Sequence, residues 1–92
     1  MTDKPKSTKV TVDGLELVID GAAIEDIETL DLLDDVSEGN VLKVKKLMVA
    51  VFGDESWAKI REHLKGADGR VNAGDAAEFF GEALEAYGAK NS

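Results

Sequence analysis

The sequence predicts an α+β fold, mostly α: an N-terminal β-hairpin followed by about four short helices packed as a small bundle. Three observations carry this expectation. Two short β-rich runs flank an Asp-Gly pair near the N-terminus, apolar residues recur at helical spacing from Ile24 onward, and glycines at 39, 53, 66 and 88 punctuate that pattern. A chain of 92 residues fits one domain, because a single core commonly serves about 100 to 200 residues. The expected boundaries are a disordered basic tail over residues 1–8, the domain over 9–88, and a disordered tail over 89–92.

The hairpin comes first. Residues 9–12 and 15–19 flank Asp13-Gly14, a two-residue turn that favours positive φ and so matches strand twist. An isolated hairpin is marginal in water, so the following helices must cover its apolar face. Next, Ile24, Ile27, Leu30, Leu33 and Val36 recur at a spacing of three, with Leu32 beside them. Each three-residue step lags the helical repeat by about 60°, so this stripe winds around its helix. One flat neighbour cannot cover it. Either the helix touches several elements, another subunit included, or it breaks near Leu30 to Leu33. Gly39 suits a left-handed cap at its end, and Asn40 suits the N-cap of the next helix.

From residue 41 to 52 the positions Val41, Val44, Met48, Val51 and Phe52 form a helical face that Leu42 and Leu47 widen, predicting the most buried helix. Gly53 ends it. Asp54 can cap a further helix with the stripe Trp57, Ile60 and Leu64, which Gly66 closes. Asn72 is the N-cap expected for the last helix, with Asp75 three residues on and Val71 stapling against Ala76. Its apolar face is Ala76, Phe79, Phe80, Ala83, Leu84 and Tyr87, and Gly88 ends it. Gly81, inside that helix, costs about 1 kcal/mol relative to Ala and suggests a close approach by another backbone. The expected core packs Trp57, Ile60 and Leu64 with Leu47, Met48, Val51 and Phe52 against Phe80 and Leu84.

The composition excludes several kinds of chemistry. Without Cys there is no disulfide framework, thiolate nucleophile or zinc-thiolate site. The longest apolar run, residues 47–52, is far short of the roughly 20 residues a bilayer span requires, and no apolar segment follows the N-terminal lysines to make a secretory signal. His63 is the lone His and reads as a solvated surface residue rather than a zinc ligand. No Gly-rich phosphate loop follows a strand, and no Ser stands near a His in a recognised order. Asp34 and Asp35 diverge by about 100° on a helix, so they form no shared-proton dyad. Residues 68–75 resemble the latter half of a calcium-binding helix-loop-helix loop, but the first and third ligand positions would be Leu64 and Gly66, which supply no side-chain oxygen. Gly53-Asp54-Glu55-Ser56 resembles the prosthetic-group attachment sequence of acyl carrier proteins, yet Glu55 intervenes between Asp and Ser. The chain is expected to be no enzyme and to use no metal and no cofactor.

Charge is the more informative property. Nineteen acids against eleven bases give a net charge of −8. Eight of the acids and no base fall between residues 20 and 38. Phosphate-backbone affinity comes from Lys and Arg displacing counterions, so nucleic-acid binding by this stretch is not expected. It is read either as a solvated helix face that keeps a small protein in solution or as an acidic docking surface for a basic partner.

The order of elements then becomes familiar. A hairpin around Val12-Asp13-Gly14-Leu15 is followed by the acidic helix with Asp26-Ile27-Glu28-Thr29-Leu30-Asp31-Leu32-Leu33, the break Glu38-Gly39-Asn40, and a helix ending in Phe52-Gly53. Trp57 to Leu64 and a final helix with Phe79-Phe80-Gly81-Glu82 complete it. Over roughly residues 9–88 this layout resembles the small tail assembly chaperones of long-tailed bacteriophages and prophages. The resemblance implies a helical, non-enzymatic protein of the bacterial host cytoplasm, absent from the mature virion. Such a protein coats the tape measure protein while the tail tube polymerises, which also makes the tail tube protein a candidate partner. The rival reading is an acidic regulatory or DNA-mimic protein that binds a basic partner.

The residues expected to bind a partner or another copy are Ile24, Ile27, Leu30, Leu33 and Val36, with Asp31, Asp34 and Asp35. Self-association should be weak, because the acidic face repels its like, and should strengthen with salt as that repulsion is screened. Leu30→Asp or Leu33→Asp is expected to reduce oligomer size while leaving helix content largely intact; the competing outcome is burial in the monomer core, which would show as unfolding.

Overall fold

The computed structural model describes residues 7–91. The protein is α+β and mostly α, with a two-stranded antiparallel hairpin ahead of the helices. Strands β1 (Thr8–Val12) and β2 (Leu15–Ile19) pair Val10 with Leu17 and Val12 with Leu15. Asp13 and Gly14 both have positive φ, 50° and 82°, as a twist-matched two-residue turn requires. Side chains alternate across a strand, so Val10, Val12, Leu17 and Ile19 are buried on one face while Lys9, Thr11, Glu16 and Val18 are exposed on the other. β1 begins at Thr8, one residue inside the expected basic tail. Residues 1–6 of that tail lie outside the described residues.

The acidic segment is two helices, α1 (Gly21–Glu25) and α2 (Ile27–Ser37). The break falls at Asp26 and not near Leu30 to Leu33. Asp26 is extended, with φ −69° and ψ 133°, and its carboxylate accepts hydrogen bonds from the backbone N–H groups of Glu28 and Thr29. Asp20 likewise accepts from Ala22 at the start of α1. A carboxylate one residue ahead of a helix satisfies N–H groups that have no intrahelical partner, typically stabilising it by about 1 kcal/mol. That local gain decides where the helix is cut.

Gly39, at φ 100°, ends α2, and one 3-10 turn (Val41–Lys43) leads into α3 (Val44–Leu64). Asn40 flanks this turn without capping it through its side chain. In the first arm of α3, Val44, Leu47, Met48, Val51 and Phe52 are buried. Val41 and Leu42, expected to extend this face, are exposed. Leu42 precedes Val44 by two residues, about 200° around a helix, and so points away from the core. At Gly53 the backbone takes φ 86° and ψ 166°, a region open essentially to glycine alone. The helix is broken there, and its second arm buries Ile60 while Trp57 and Leu64 pack at the core margin.

Helix α4 (Ala73–Asn91) starts as expected: the Asn72 side-chain oxygen accepts from the Asp75 N–H at 3.1 Å. It does not stop at Gly88, so residues 89–91, read as a disordered tail, continue the helix. Gly88 does not adopt the left-handed conformation that would end it, and a helical Gly costs only about 1 kcal/mol relative to Ala. Gly81 is not a close-contact site either, since a Cβ built there meets nothing within 4 Å.

The core is a sandwich of the hairpin's inner face with α3 and α4. Helix α4 lies mainly along β1 and contributes Ala76, Phe79, Phe80 and Ala83. Phe52 meets Phe80 edge to face at 6.1 Å between ring centroids. Trp57, Leu64 and Leu84 sit at the rim, and Phe79 with Leu17 and Ile19 lies deeper. Among the described residues, no helix is long and apolar enough to cross a membrane.

Candidate interaction surface

Helix α2 is the element on which the sequence-predicted site residues converge, and its cap sets their direction. With the helix starting at Ile27, Thr29, Leu32, Leu33 and Val36 turn inward, Thr29 buried and the others partly buried against the core. Ile27, Leu30, Asp31, Asp34 and Glu38 occupy the opposite face at i, i+3, i+4, i+7 and i+11, where 3.6-residue periodicity places a single stripe. All five are exposed, with Ile27 at 80% and Leu30 at 47%. The winding series is therefore divided. Ile27 and Leu30 face solvent, whereas Leu33 and Val36 belong to the protein's own packing, and Ile24 lies half-buried on α1.

The acids divide as well. Asp20 and Asp26 are caps, and Asp35 holds the Lys43 ammonium at 2.8 Å. The hydrogen bond and charge of Asp35, reinforced by the charge of Asp31, hold the Lys43 pKa above the ordinary lysine value. This contact also places a cation near the C-terminal end of α2, whose own last turn carries no base, in the sense favoured by the helix dipole. Glu28, Asp31 and Asp34 form no ion pair among the described residues. They flank Ile27 and Leu30 as an acidic rim.

A second face lies across the 3-10 turn. Leu42 is 92% exposed, and with Lys43, Lys45, Lys46, Val49 and Asp54 it lines a surface depression on the outer side of α3. Sequence reasoning missed this face. The signal was present, since Val44, Leu47, Met48 and Val51 define the inner side and leave Leu42, Lys45, Lys46 and Val49 opposite.

Elsewhere, the His63 Nε2 lies 3.6 Å from the Asp13 carboxylate, and its ring packs 6.0 Å from that of Phe79. His63 is exposed, as expected, and stands beside the hairpin turn. Asp13, Asp75, Glu78 and Glu82, with Leu64 and Phe79, line a cleft of about 180 Å³ beside it. Among the described residues, no group of three or more His, Cys, Asp or Glu side chains is placed to hold a metal ion. In the loop before α4, the Asp68 carboxylate accepts from the Arg70 N–H at 3.0 Å.

No protein-family model, curated protein or solved structure matches this chain. The chemistry available at α2 is that of adhesion. A helix bearing apolar residues flanked by Lys or Arg could lay its apolar side on Ile27 and Leu30 and its cations among Glu28, Asp31 and Asp34.

Proposed function

We propose that this protein is a tail assembly chaperone of a long-tailed bacteriophage or prophage, and that it holds helical segments of the tape measure protein on the outer stripe of α2 while the tail tube polymerises. The observation that carries the reading is the exposure of Ile27 and Leu30 within an acidic rim. The apolar surface these side chains leave in water contributes nothing to folding, yet it favours a partner that covers it. The order of hairpin, acidic helix and three further helical segments supports the same reading by its resemblance to that family. The protein would act in the bacterial host cytoplasm and leave before the virion is complete, with the tail tube protein as a further candidate contact. Weak self-association accompanies this role, and no step of it needs catalysis, a metal or a cofactor.

The test is co-expression with the long helical protein encoded beside the tail tube gene. Its soluble fraction should rise several-fold, and Ile27→Asp with Leu30→Asp should remove the gain while leaving this chain's helix content intact. Unchanged solubility overturns the reading. Retention of a DNA-binding enzyme instead points to the acidic DNA mimic.

A further inference from the structure

The outer faces of α2 and α3 carry one spacing with opposite charge. Ile27, Leu30, Asp31 and Asp34 stand at i, i+3, i+4 and i+7, and Leu42, Lys45, Lys46 and Val49 stand at the same intervals. The first set is exposed; in the second, Leu42, Lys45 and Lys46 are exposed and Val49 is half-buried. We propose that the stripe Leu42, Lys45, Lys46 and Val49, which runs from the 3-10 turn into α3, docks on the α2 stripe of a second copy of this chain.

Charge complementarity selects the second copy as the occupant. Residues 20–38 hold eight acids and no base, whereas residues 39–65 hold six bases against three acids, so the chain contains both halves of the contact in equal amount. Neither half is used up internally. Lys43 serves Asp35 of its own chain, while Lys45 and Lys46 make no ion pair among the described residues. Aligned in either orientation, Ile27 meets one apolar end of the second stripe and Asp31 meets one of its lysines, while Leu30 lies along the other lysine's aliphatic stem. Asp54 lies at the edge of the basic depression and disfavours only an overhang of the acidic helix in that direction. Four residues a side make a small interface, below the roughly 1,200 Å² of a stable complex, so the association is transient.

This contact changes the sign of the salt response. An acidic face considered alone predicts association that strengthens with salt; an acid stripe on a base stripe weakens as salt screens it. The inference shares with the proposed function only the docking character of the α2 stripe, and its test needs no partner, so either can fail alone.

Sedimentation of the concentrated protein from about 0.01 M to about 1 M salt, over which the screening length falls from about 30 Å to about 3 Å, should show association that weakens at least about tenfold. K45E/K46E and D31K/D34K should each be monomeric alone, and an equimolar mixture should associate again, since each variant then offers what the other lacks. Asp31 also faces Lys43, so E28K/D34K serves as a second reversal of α2 that leaves that contact in place. Circular dichroism confirms that each variant is folded. A parent that is monomeric at low salt, association that strengthens with salt, or a mixture that stays monomeric overturns the proposal.

Discussion

Phe52 joins the first arm of α3 to α4 through its edge-to-face contact with Phe80, directly ahead of the break at Gly53. Phe52→Ala should therefore cost about 3–5 kcal/mol by chemical denaturation, a large part of the 5–15 kcal/mol typical of a domain. A loss under about 1 kcal/mol would show that the ring contributes little to the core. Gly81 gives the opposite sign. It is helical, exposed and surrounded by open space, so Gly81→Ala should stabilise by about 0.5–1 kcal/mol, chiefly by restricting the unfolded chain. Glu62 lies 2.8 Å from the Lys65 ammonium, whose hydrogen bond and charge hold its carboxyl below the usual carboxylate range. A lowered folded pKa contributes stability above the ordinary Glu value of about 4.3 that is lost as pH falls through the lowered value. The pair lies at the surface, so Glu62→Gln should shift the urea midpoint only slightly at neutral pH, and that difference should vanish in acid. Lys43 runs the other way, its pairing with Asp35 intact below the ordinary lysine pKa and lost as pH rises through the raised one.

Among the elements, α2 shows what periodicity can and cannot assign. The spacing of Ile24, Ile27, Leu30, Leu33 and Val36 is enough to foresee a stripe too wide for one neighbour, but not to say which members face out. The phase of α2 follows from its start at Ile27, which depends on Asp26 acting as a cap rather than as one more surface charge. The two roles look alike within a run of acids. As a result, the two Asp substitutions are no longer equivalent. Leu30→Asp should reduce association while preserving the far-ultraviolet spectrum, whereas Leu33→Asp places a charge against the core and should lower the denaturation midpoint. The hairpin turn and the Asn72 cap were legible because their chemistry is contained in two to four adjacent residues. The Lys43 to Asp35 contact was not, since it exists only once the chain has reversed at Gly39. In α3, the φ and ψ of Gly53 make Gly53→Ala a backbone strain of about 1–3 kcal/mol, although a Cβ there would meet no atom within 4 Å.

At the scale of the whole molecule, the core couples the two ends of the described chain, with β1 lying against α4. Fold class followed from the sequence because a hairpin, several apolar helical faces and glycine punctuation all required one another. The two outward stripes were only half visible. Exposure is a property of the packed molecule, and Leu42 beside Val41 looks like the beginning of a buried face until the direction of the first turn is known. A chain ending at residue 70 keeps the hairpin and α3 but lacks Ala76, Phe79, Phe80 and Ala83. It should show no cooperative urea transition, because the hairpin's buried face then has lost its main cover and an isolated hairpin is marginal in water.

That same pairing of first strand with last helix bears on how the protein emerges from a ribosome. The last fully buried residue of α4 is Ala83, roughly sixty positions after β2, and synthesis proceeds at about 5–20 residues per second. For about 3–12 s the inner face of the hairpin has been made but cannot yet be covered. The amphipathic helices between them are translated during that interval, and their acidic stretch comes first. A nascent chain thus shows its most strongly charged segment while its core is still open, and the like charge of that segment disfavours contact between neighbouring chains on one message until the bases of residues 43–46 are made.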